Sequence, residues 1–152
     1  MSALTRAVRP LRYRGVRIDV MEGRWSLEEL ERFDAVDELH IAPRRSDGTF
    51  VRPLPIWVVR VGDHVYVRTW YRRGGWFGRA LRSGSARVSV PGVRAEVRVE
   101  DVGREPADLR TQVDAAYRRK YARYGSGTVE RMVSDPAAET TLRLVRRDAR
   151  SP

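Results

Sequence analysis

The sequence predicts an α+β domain, on two observations. Most strand-like segments lie in the middle of the chain, where short apolar runs are separated by turn residues. Segments with helical caps or helical apolar spacing lie before, between and after them. At 152 residues the chain suits one domain and is short for two. We expect that domain over 25–147, after an N-terminal extension over 1–24 that is partly disordered and before a tail over 148–152.

The first helix is predicted over 27–36. Ser26 and Glu29 have the spacing of a capping box, in which each side chain bonds the backbone N–H of the other residue. Trp25 and Leu30 are placed to pack on each other as a hydrophobic staple across the helix start. The local sequence therefore predicts where this helix begins.

Three antiparallel strands are predicted next, over 38–43, 50–61 and 64–71. The first turn between them, 46–49, reads Ser-Asp-Gly-Thr, and the second, 62–63, reads Gly-Asp. Such residues favour the tight turns that join neighbouring strands. These segments are therefore expected to form a three-stranded meander.

The middle segment of this meander is apolar on both of its faces. Such a strand is expected to be buried on both sides, inside a closed barrel or by a partner subunit. Pro53 and Pro55 lie within it, and a proline cannot donate a ladder hydrogen bond. Part of this strand is therefore expected to be irregular or at a sheet edge, where free backbone groups can serve a ligand.

The remaining predicted elements are two helices, a hairpin and a closing strand. The helices are expected over 75–84 and 106–124, and the closing strand over 140–147. The hairpin pairs 86–90 with 93–102, and every second residue at the start of its second strand is valine or alanine. That alternation predicts one buried face.

The charge of the chain is concentrated in its middle. The net charge is +10, from 30 basic and 20 acidic residues, and 29 of the basic residues are arginine. Residues 44–98 carry twelve arginines and three acids, whereas 25–43 carry one arginine and six acids. Arginine in place of lysine is typical of GC-rich coding, so the total alone is weak evidence for nucleic-acid binding. The position of the charge is more informative than its total, because the positive charge lies mainly between Arg44 and Arg98.

Several classes of protein are excluded or disfavoured by composition. The chain has no cysteine, which excludes disulfides and thiolate chemistry. Its two histidines, His40 and His64, disfavour a histidine-rich metal centre, and we expect no metal. No apolar run is long enough to span a membrane, and the first residues lack a secretory signal. We therefore expect a cytoplasmic protein with no membrane partner.

Two segments combine the residue types that bind anions. Arg44, Arg45 and Ser46 lie at a hairpin, where guanidinium groups, a hydroxyl and turn N–H groups can hold a phosphate or a carboxylate. The segment 69–76 (TWYRRGGW) runs from a strand end through two glycines to a helix start, which also favours anions. The alternatives are a solvated basic turn for the first segment and a corner with core tryptophans for the second.

The usual nucleotide and nucleophile fingerprints are absent from the sequence. It contains no P-loop, no G-x-G-x-x-G and no G-x-S-x-G motif. Nor does it contain a helix-turn-helix, zinc-knuckle or RNA-recognition signature. Motif spacing therefore assigns no reaction.

Four segments together resemble the flavin/deazaflavin split-barrel superfamily, and most closely a small bacterial family of unknown function. They are 39–49 (LHIAPRRSDGT), 52–59 (RPLPIWVV), 65–71 (VYVRTWY) and 74–81 (GGWFGRAL). The segment 115–125 (AAYRRKYARYG) is also similar to that family. The resemblance covers about 25–147. It implies a six-stranded antiparallel split β-barrel with flanking helices, usually a homodimer, with flavin mononucleotide (FMN) or a deazaflavin coenzyme in a cleft on the barrel.

The resemblance also implies roles for individual residues. The turn at 44–46 would hold the phosphate end of the coenzyme, the backbone near 55–58 would lie along its ring, and 69–75 would close over its tail. The implied coenzyme-binding residues are Arg44, Arg45, Ser46, Pro55, Ile56, Trp57, Val58, Thr69, Trp70, Arg72, Arg73, Gly74, Gly75 and Trp76. Tyr66, Tyr71 and His64 are the candidate proton donors.

Three functions remain open from the sequence. The first is an oxidoreductase that uses FMN or a deazaflavin on a small-molecule substrate. The second is a non-enzymatic module that binds nucleic acid or another polyanion through the arginines of 44–98, which we regard as the weaker alternative. The third is a degenerate barrel without a coenzyme.

Overall fold

A computed structural model describes residues 23–70 and 75–147 of the chain. The predicted tail, residues 71–74 of the predicted glycine loop and all but two residues of the predicted N-terminal extension lie outside the described residues. The described elements in chain order are α1 (Leu27–Ala35), β1 (Glu38–Pro43), β2 (Leu54–Trp57), β3 (Val59–Val61), β4 (His64–Val67), α2 (Gly75–Ser83), β5 (Ser85–Val90), β6 (Val93–Asp101), α3 (Ala107–Tyr121), α4 (Ser126–Met132), α5 (Asp135–Ala138) and β7 (Leu142–Arg146).

The seven strands form one antiparallel sheet in the order β2-β1-β5-β6-β7-β4-β3. Its two edge strands, β2 and β3, are consecutive in sequence, with only Val58 between them. The sheet must therefore curl until its edges meet at that residue, which makes a nearly closed barrel. The α+β prediction is confirmed. The predicted count of six strands is wrong by one, because the segment predicted as one strand over 50–61 breaks at Val58.

Local sequence signals set several elements as predicted. Ser26 Oγ accepts a hydrogen bond from Glu29 N at 3.1 Å, and Ser26 N donates to the Glu29 carboxylate at 2.9 Å, so α1 begins with the predicted capping box. The β5–β6 hairpin turns between Val90 and Val93, which are paired as predicted. These contacts are local in sequence, which is why periodicity and caps reveal them.

The segment that contains β2 differs from its prediction of burial on both faces. Leu54 is 39% exposed and Pro55 is also exposed in the single chain, whereas Val58 and Val59 are fully buried. β2 lies at the sheet edge, as its prolines predicted, and residues 51–53 before it are not in a strand. Apolar composition alone could not separate the covered half of this segment from the open half.

The C-terminal helical region is more divided than predicted. The helix expected over 106–124 ends at Tyr121 and continues as a single 3-10 turn over Ala122–Tyr124. Two short helices, α4 and α5, follow where no element was predicted. Each is too short to show a helical apolar period, so its conformation depends on packing.

Two apolar clusters hold the fold together. The first fills the barrel with alternate residues of the strands and is closed by α1 and α2. It includes the predicted buried face of β6, with Val93, Ala95 and Val97. The second lies outside the barrel, between the sheet and α3–α4. Its buried members are Val59, Tyr66, Val102, Val113, Ala116, Tyr117, Tyr121, Val129, Met132 and Val133. No helix among the described residues is long and apolar enough to cross a membrane.

Two side chains of α3 satisfy the peptide groups at the strand break. Tyr121 Oη accepts from Val58 N at 2.9 Å and donates to the Asp37 carbonyl at 2.6 Å. Asp37 and Val58 are the next pair after Glu38–Trp57 in the β1–β2 register, so the hydroxyl stands in place of a ladder rung. Lys120 Nζ donates to the Val58 carbonyl at 2.8 Å and to the Phe33 carbonyl at 2.9 Å.

Replacing Tyr121 with phenylalanine should destabilise the fold. Tyr121→Phe leaves the buried Val58 N–H without a partner, which costs about 1–3 kcal/mol. Urea denaturation followed by circular dichroism measures this as a lower midpoint with an unchanged slope. Tyr124→Phe is the matched control, because its hydroxyl bonds Asp37 at the exposed surface. An equal loss in both variants would contradict the role of the Tyr121 hydroxyl.

Stability should also depend on pH through Lys120. Burial lowers the pKa of Lys120 to about 8, against 10.5 for an unperturbed lysine. Between these two values the folded chain has released the proton and the unfolded chain still holds it, so the free energy of unfolding rises with pH. We expect a higher urea midpoint at pH 9 than at pH 7.5 in the wild type. The rise should be smaller in Lys120→Met and unchanged in Arg119→Met, which alters an exposed neighbour. An identical rise in all three proteins would show that other groups cause it.

Candidate functional site

A cleft of about 450 Å³ opens beside the edge strand β2. Its other walls come from the segment after β4, from α2 and from α4. The lining residues are Glu38, Leu54, Pro55, Ile56, Trp57, Arg68, Thr69, Trp70, Trp76, Thr128 and Met132. Its volume lies within the range of small-molecule sites.

This cleft is the split in the barrel. β3 and β4 are paired as far as Val59 and Tyr66, and beyond that pair the two segments of the chain separate. Extending the β3–β4 register would pair β2 with the segment 68–70. The residues left facing each other are Trp57 and Arg68, Ile56 and Thr69, and Pro55 and Trp70. All six residues line the cleft. The cleft therefore lies where β2 and the segment 68–70 would otherwise be joined by ladder hydrogen bonds.

The open edge of β2 presents backbone groups to this space. Pro55 has no N–H, so its pairing with His40 cannot carry hydrogen bonds, and the rungs fall at Leu39–Ile56 and Ile41–Leu54. Because backbone groups alternate along a strand, the Pro55 carbonyl and the N–H and carbonyl of Trp57 point to the open side. These groups can hydrogen-bond the polar edge of a planar ligand.

Three tryptophans supply flat apolar surface to the cleft. One face of Trp57 is covered by Tyr121, whose ring is stacked at 3.9 Å between centroids and 4° between planes. Trp70 is 56% exposed, and the Arg131 guanidinium lies 5.3 Å from the centre of its ring. Trp76 is half-buried at the start of α2. The cleft can therefore accept a planar aromatic ligand.

Arg68 is a buried cation at the inner end of the cleft, with 2% of its surface exposed. Its Nη1 donates to Asp114 at 2.7 Å and to the Met132 carbonyl at 2.8 Å, and its Nε donates to Thr141 Oγ1 at 2.8 Å. Asp114 also accepts from Arg110 at 3.3 Å. Ion pairing with Asp135 and Asp114 raises the pKa of Arg110.

Six of the coenzyme-binding residues predicted from the resemblance meet in this cleft. They come from two separate segments and are Pro55, Ile56, Trp57, Thr69, Trp70 and Trp76. Gly75 begins α2, directly before Trp76. Tyr71, Arg72, Arg73 and Gly74 were also predicted and lie outside the described residues. Val58 does not line the cleft, and its peptide groups are held by Tyr121 and Lys120.

The predicted phosphate turn lies apart from the cleft. Arg45 Nη1 donates to Thr49 Oγ1 at 3.1 Å and to the Phe50 carbonyl at 3.0 Å, so it stabilises its own hairpin. Ser46 is exposed in that turn. The Arg44 guanidinium lies 5.6 Å from the centre of the Phe50 ring.

Neither described candidate proton donor lines the cleft. Tyr66 is buried in the outer apolar cluster, where its hydroxyl accepts from Arg143 Nε at 3.3 Å. His64 is exposed at the start of β4, whereas the cleft adjoins the end of that strand. Tyr71, the third candidate, directly follows Trp70 in the sequence.

Sequence reasoning missed five lining residues of the cleft. Glu38, Leu54 and Arg68 lie in segments predicted as strands, and Thr128 and Met132 lie on the unpredicted helix α4. Arg68 offered a signal, because it is a charged residue that directly follows the apolar strand β4. A charged side chain that is buried needs a partner of opposite charge. For Arg68 that partner is Asp114, which is 46 residues away in sequence.

A basic groove of about 490 Å³ continues the outer face of β1 beyond the cleft. We define it by its lining residues, His40, Ala42, Phe50, Val51, Arg52, Pro53, Arg87, Ser89 and Arg94. The Arg87 guanidinium lies 4.2 Å from the centre of the Phe50 ring. Part of the central positive charge therefore gathers on one surface. No group of three or more metal-ligating side chains occurs within residues 23–70 and 75–147.

Comparison with known proteins gives a family and a fold. The family model described as "Uncharacterized protein conserved in bacteria (DUF2255)" matches residues 29–144. No curated protein matches the chain in sequence.

Three solved structures illustrate the structural similarity. The conserved hypothetical protein Rv2991 from Mycobacterium tuberculosis is 12% identical with a TM-score of 0.53, over 81% of this chain and 82% of that one. A candidate 5-nitroimidazole antibiotic resistance protein from Bacteroides thetaiotaomicron VPI-5482 is 14% identical with a TM-score of 0.53, over 81% and 80%. An F420 reductase is 16% identical over 77% and 90%, with a TM-score of 0.41, which is too low to support an argument. The first two show a shared fold.

Proposed function

We propose a flavin-type coenzyme site for this chain, which belongs to the DUF2255 family of uncharacterized proteins conserved in bacteria. In this proposal the cleft binds FMN or a deazaflavin, and the chain is an oxidoreductase that acts on a small organic substrate. When bound, the coenzyme supplies the hydride chemistry, and the protein supplies binding, orientation and electrostatics.

One observation carries the proposal. The coenzyme-binding residues implied by the resemblance include two separate segments, one expected along the ring and one expected over the tail, and six residues of these two segments line the split in the barrel. The split combines what a flavin-type ring needs: flat aromatic walls and open backbone donors and acceptors. The backbone at Pro55 and Trp57 would bond the polar edge of the ring, and Trp76 would cover its apolar part.

The basic groove is the surface that would take the anionic tail of the coenzyme. Glu38 in the cleft and His40 and Ala42 in the groove lie on the same face of β1. At about 3.3 Å per residue along a strand, Glu38 and Ala42 are separated by about 13 Å. Arg87 and Arg94 would meet the phosphate there, with Arg44 beside them at Phe50.

A proton donor would come from Tyr71 before Tyr66 or His64. Tyr71 directly follows Trp70, which lines the cleft, whereas Tyr66 is enclosed in the outer apolar cluster. The other expectations, a homodimer and a cytoplasmic location, are retained as part of the proposal.

The ring site is tested by titration with riboflavin, FMN and coenzyme F420, followed by tryptophan fluorescence and by the visible spectrum of the mixture. We expect micromolar binding of at least one of them. Trp76→Ala should weaken it about tenfold, because an aromatic wall is lost. Leu81→Ala is the matched control, since Leu81 is on the same helix and 39% exposed but does not line the cleft. No binding of any of the three compounds would reject the proposal.

The tail site is tested with Arg87→Gln and Arg94→Gln. Both variants should bind FMN more weakly than the wild type and bind riboflavin, which has no phosphate, equally well. Arg104→Gln changes an exposed arginine outside the groove and serves as the control. A polyanion-binding module would instead bind duplex DNA with an affinity that falls steeply with salt, and it would show no preference for FMN over riboflavin.

A further inference from the structure

The buried guanidinium of Arg68 has one end that the fold does not use. Its Nε donates to Thr141 on the β7 side, and both bonds of Nη1 go to Asp114 and the Met132 carbonyl. None of the hydrogen bonds among the described residues involves Nη2. Arginine has five N–H donors, so the two on Nη2 are left for the cleft that Arg68 lines.

The two N–H donors of Nη2 are reached by water from the cleft. Among the described residues, the buried side-chain atoms without a partner are Ser85 Oγ and Tyr117 Oη, and Arg68 Nη2 is not one of them. A carboxylate that replaces this water gains a charge-assisted hydrogen bond from a guanidinium group. The geometry therefore points to an acceptor supplied by a ligand.

The local charge favours an anionic acceptor. Asp114 is shared by two guanidinium groups, those of Arg68 and Arg110, at 2.7 and 3.3 Å. The other partner of Arg110, Asp135, has a side chain that is 86% exposed, so solvent screens its charge. Near the cleft, two guanidinium groups therefore share one largely buried carboxylate, which leaves the charge of Arg68 incompletely compensated.

The guanidinium is also held in a fixed position. Side chains or carbonyls from α3, from α4 and from Thr141, just before β7, hold Nε and Nη1. The Tyr117 ring lies 5.4 Å from the guanidinium carbon. A donor that is already oriented loses little conformational entropy when a ligand arrives.

The other charged residue of the cleft, Glu38, lies across β2 from Arg68. Glu38 pairs with Trp57, and Trp57 faces Arg68 when the β3–β4 register is extended. Glu38 is exposed, whereas Arg68 is buried. An anionic group is therefore repelled on the exposed β1 side of the cleft and attracted to the buried guanidinium.

We propose that the cleft binds a small aromatic or conjugated carboxylate, with its carboxylate accepting hydrogen bonds from Nη2 of Arg68. This names the substrate class, and it rests on the proposed function only in treating the carboxylate as a substrate. Binding of the carboxylate needs no coenzyme.

The test uses trans-cinnamate and its neutral isostere cinnamamide as probes, with the full chain. Binding is measured by calorimetry and by tryptophan fluorescence. We expect the wild type to bind cinnamate at least about tenfold more tightly than cinnamamide, because one charge-assisted bond is lost with the amide. Arg68→Gln and Arg68→Lys should abolish that preference. Equal affinity of the wild type for the two probes would overturn the proposal.

Two control variants separate the bond from general electrostatics and from folding. Arg131→Gln removes an exposed cation beside Trp70, at the mouth of the cleft, and should keep the preference for cinnamate. Asp114→Asn keeps an acceptor for Nη1 but removes the competing negative charge, so it should leave cinnamate affinity equal or higher. An equal loss of preference in Arg131→Gln and Arg68→Gln would overturn the specific role of Arg68.

A measurement on the wild type covers the case in which the Arg68 variants do not fold. With ¹⁵N-arginine labelling, Nη2 of the buried guanidinium should shift on addition of cinnamate and stay unchanged with cinnamamide. Absence of that difference counts against the proposal. Riboflavin binding is recorded in parallel: its absence would reject the coenzyme proposal while leaving the carboxylate result to stand.

Discussion

The hydrogen bonds around Val58 are the constraint on which the rest of the structure depends. A single strand segment pairs with β1 before this residue and with β4 after it, so its peptide groups lose their ladder partners where it changes sides. A buried peptide unit without partners is not tolerated. The Tyr121 hydroxyl and the Lys120 amine replace those partners, and thereby stabilise the break between β2 and β3.

The same helix therefore shapes both the barrel and its cleft. The C-terminal end of α3 supplies the two side chains that bond Val58, and the ring of one of them, Tyr121, stacks on Trp57. Earlier in α3, Asp114 pairs with Arg68 on the opposite side of the split. One rigid element thus positions the two walls of the cleft relative to each other, which is what a preorganised binding site requires. The cleft is a consequence of how the barrel is closed.

Features that depend on neighbours in sequence could be predicted, and features that depend on distant contacts could not. The capping box of Ser26 and Glu29, the hairpin after Val90 and the edge position implied by Pro55 are local properties. The coenzyme-binding residues that meet in the cleft were grouped by resemblance to a family. The buried role of Arg68 was missed, because its carboxylate partner lies on a helix 46 residues away. The helices α4 and α5 were missed because neither is long enough to show a period.

The sequence alone determined the class of fold, most element boundaries and the concentration of positive charge in the middle of the chain. These follow from side-chain periodicity, turn chemistry and composition, which act over a few residues. Tertiary structure alone decided that 54–61 divides at Val58, that six residues from two segments face one space, and that the arginines serve separate purposes. Arg45 stabilises a turn, Arg68 is buried, and Arg87 faces a groove. The physical reason is that the role of each arginine depends on which hydrogen-bond acceptor or aromatic ring the fold brings within contact distance. The net charge of the chain does not contain that information.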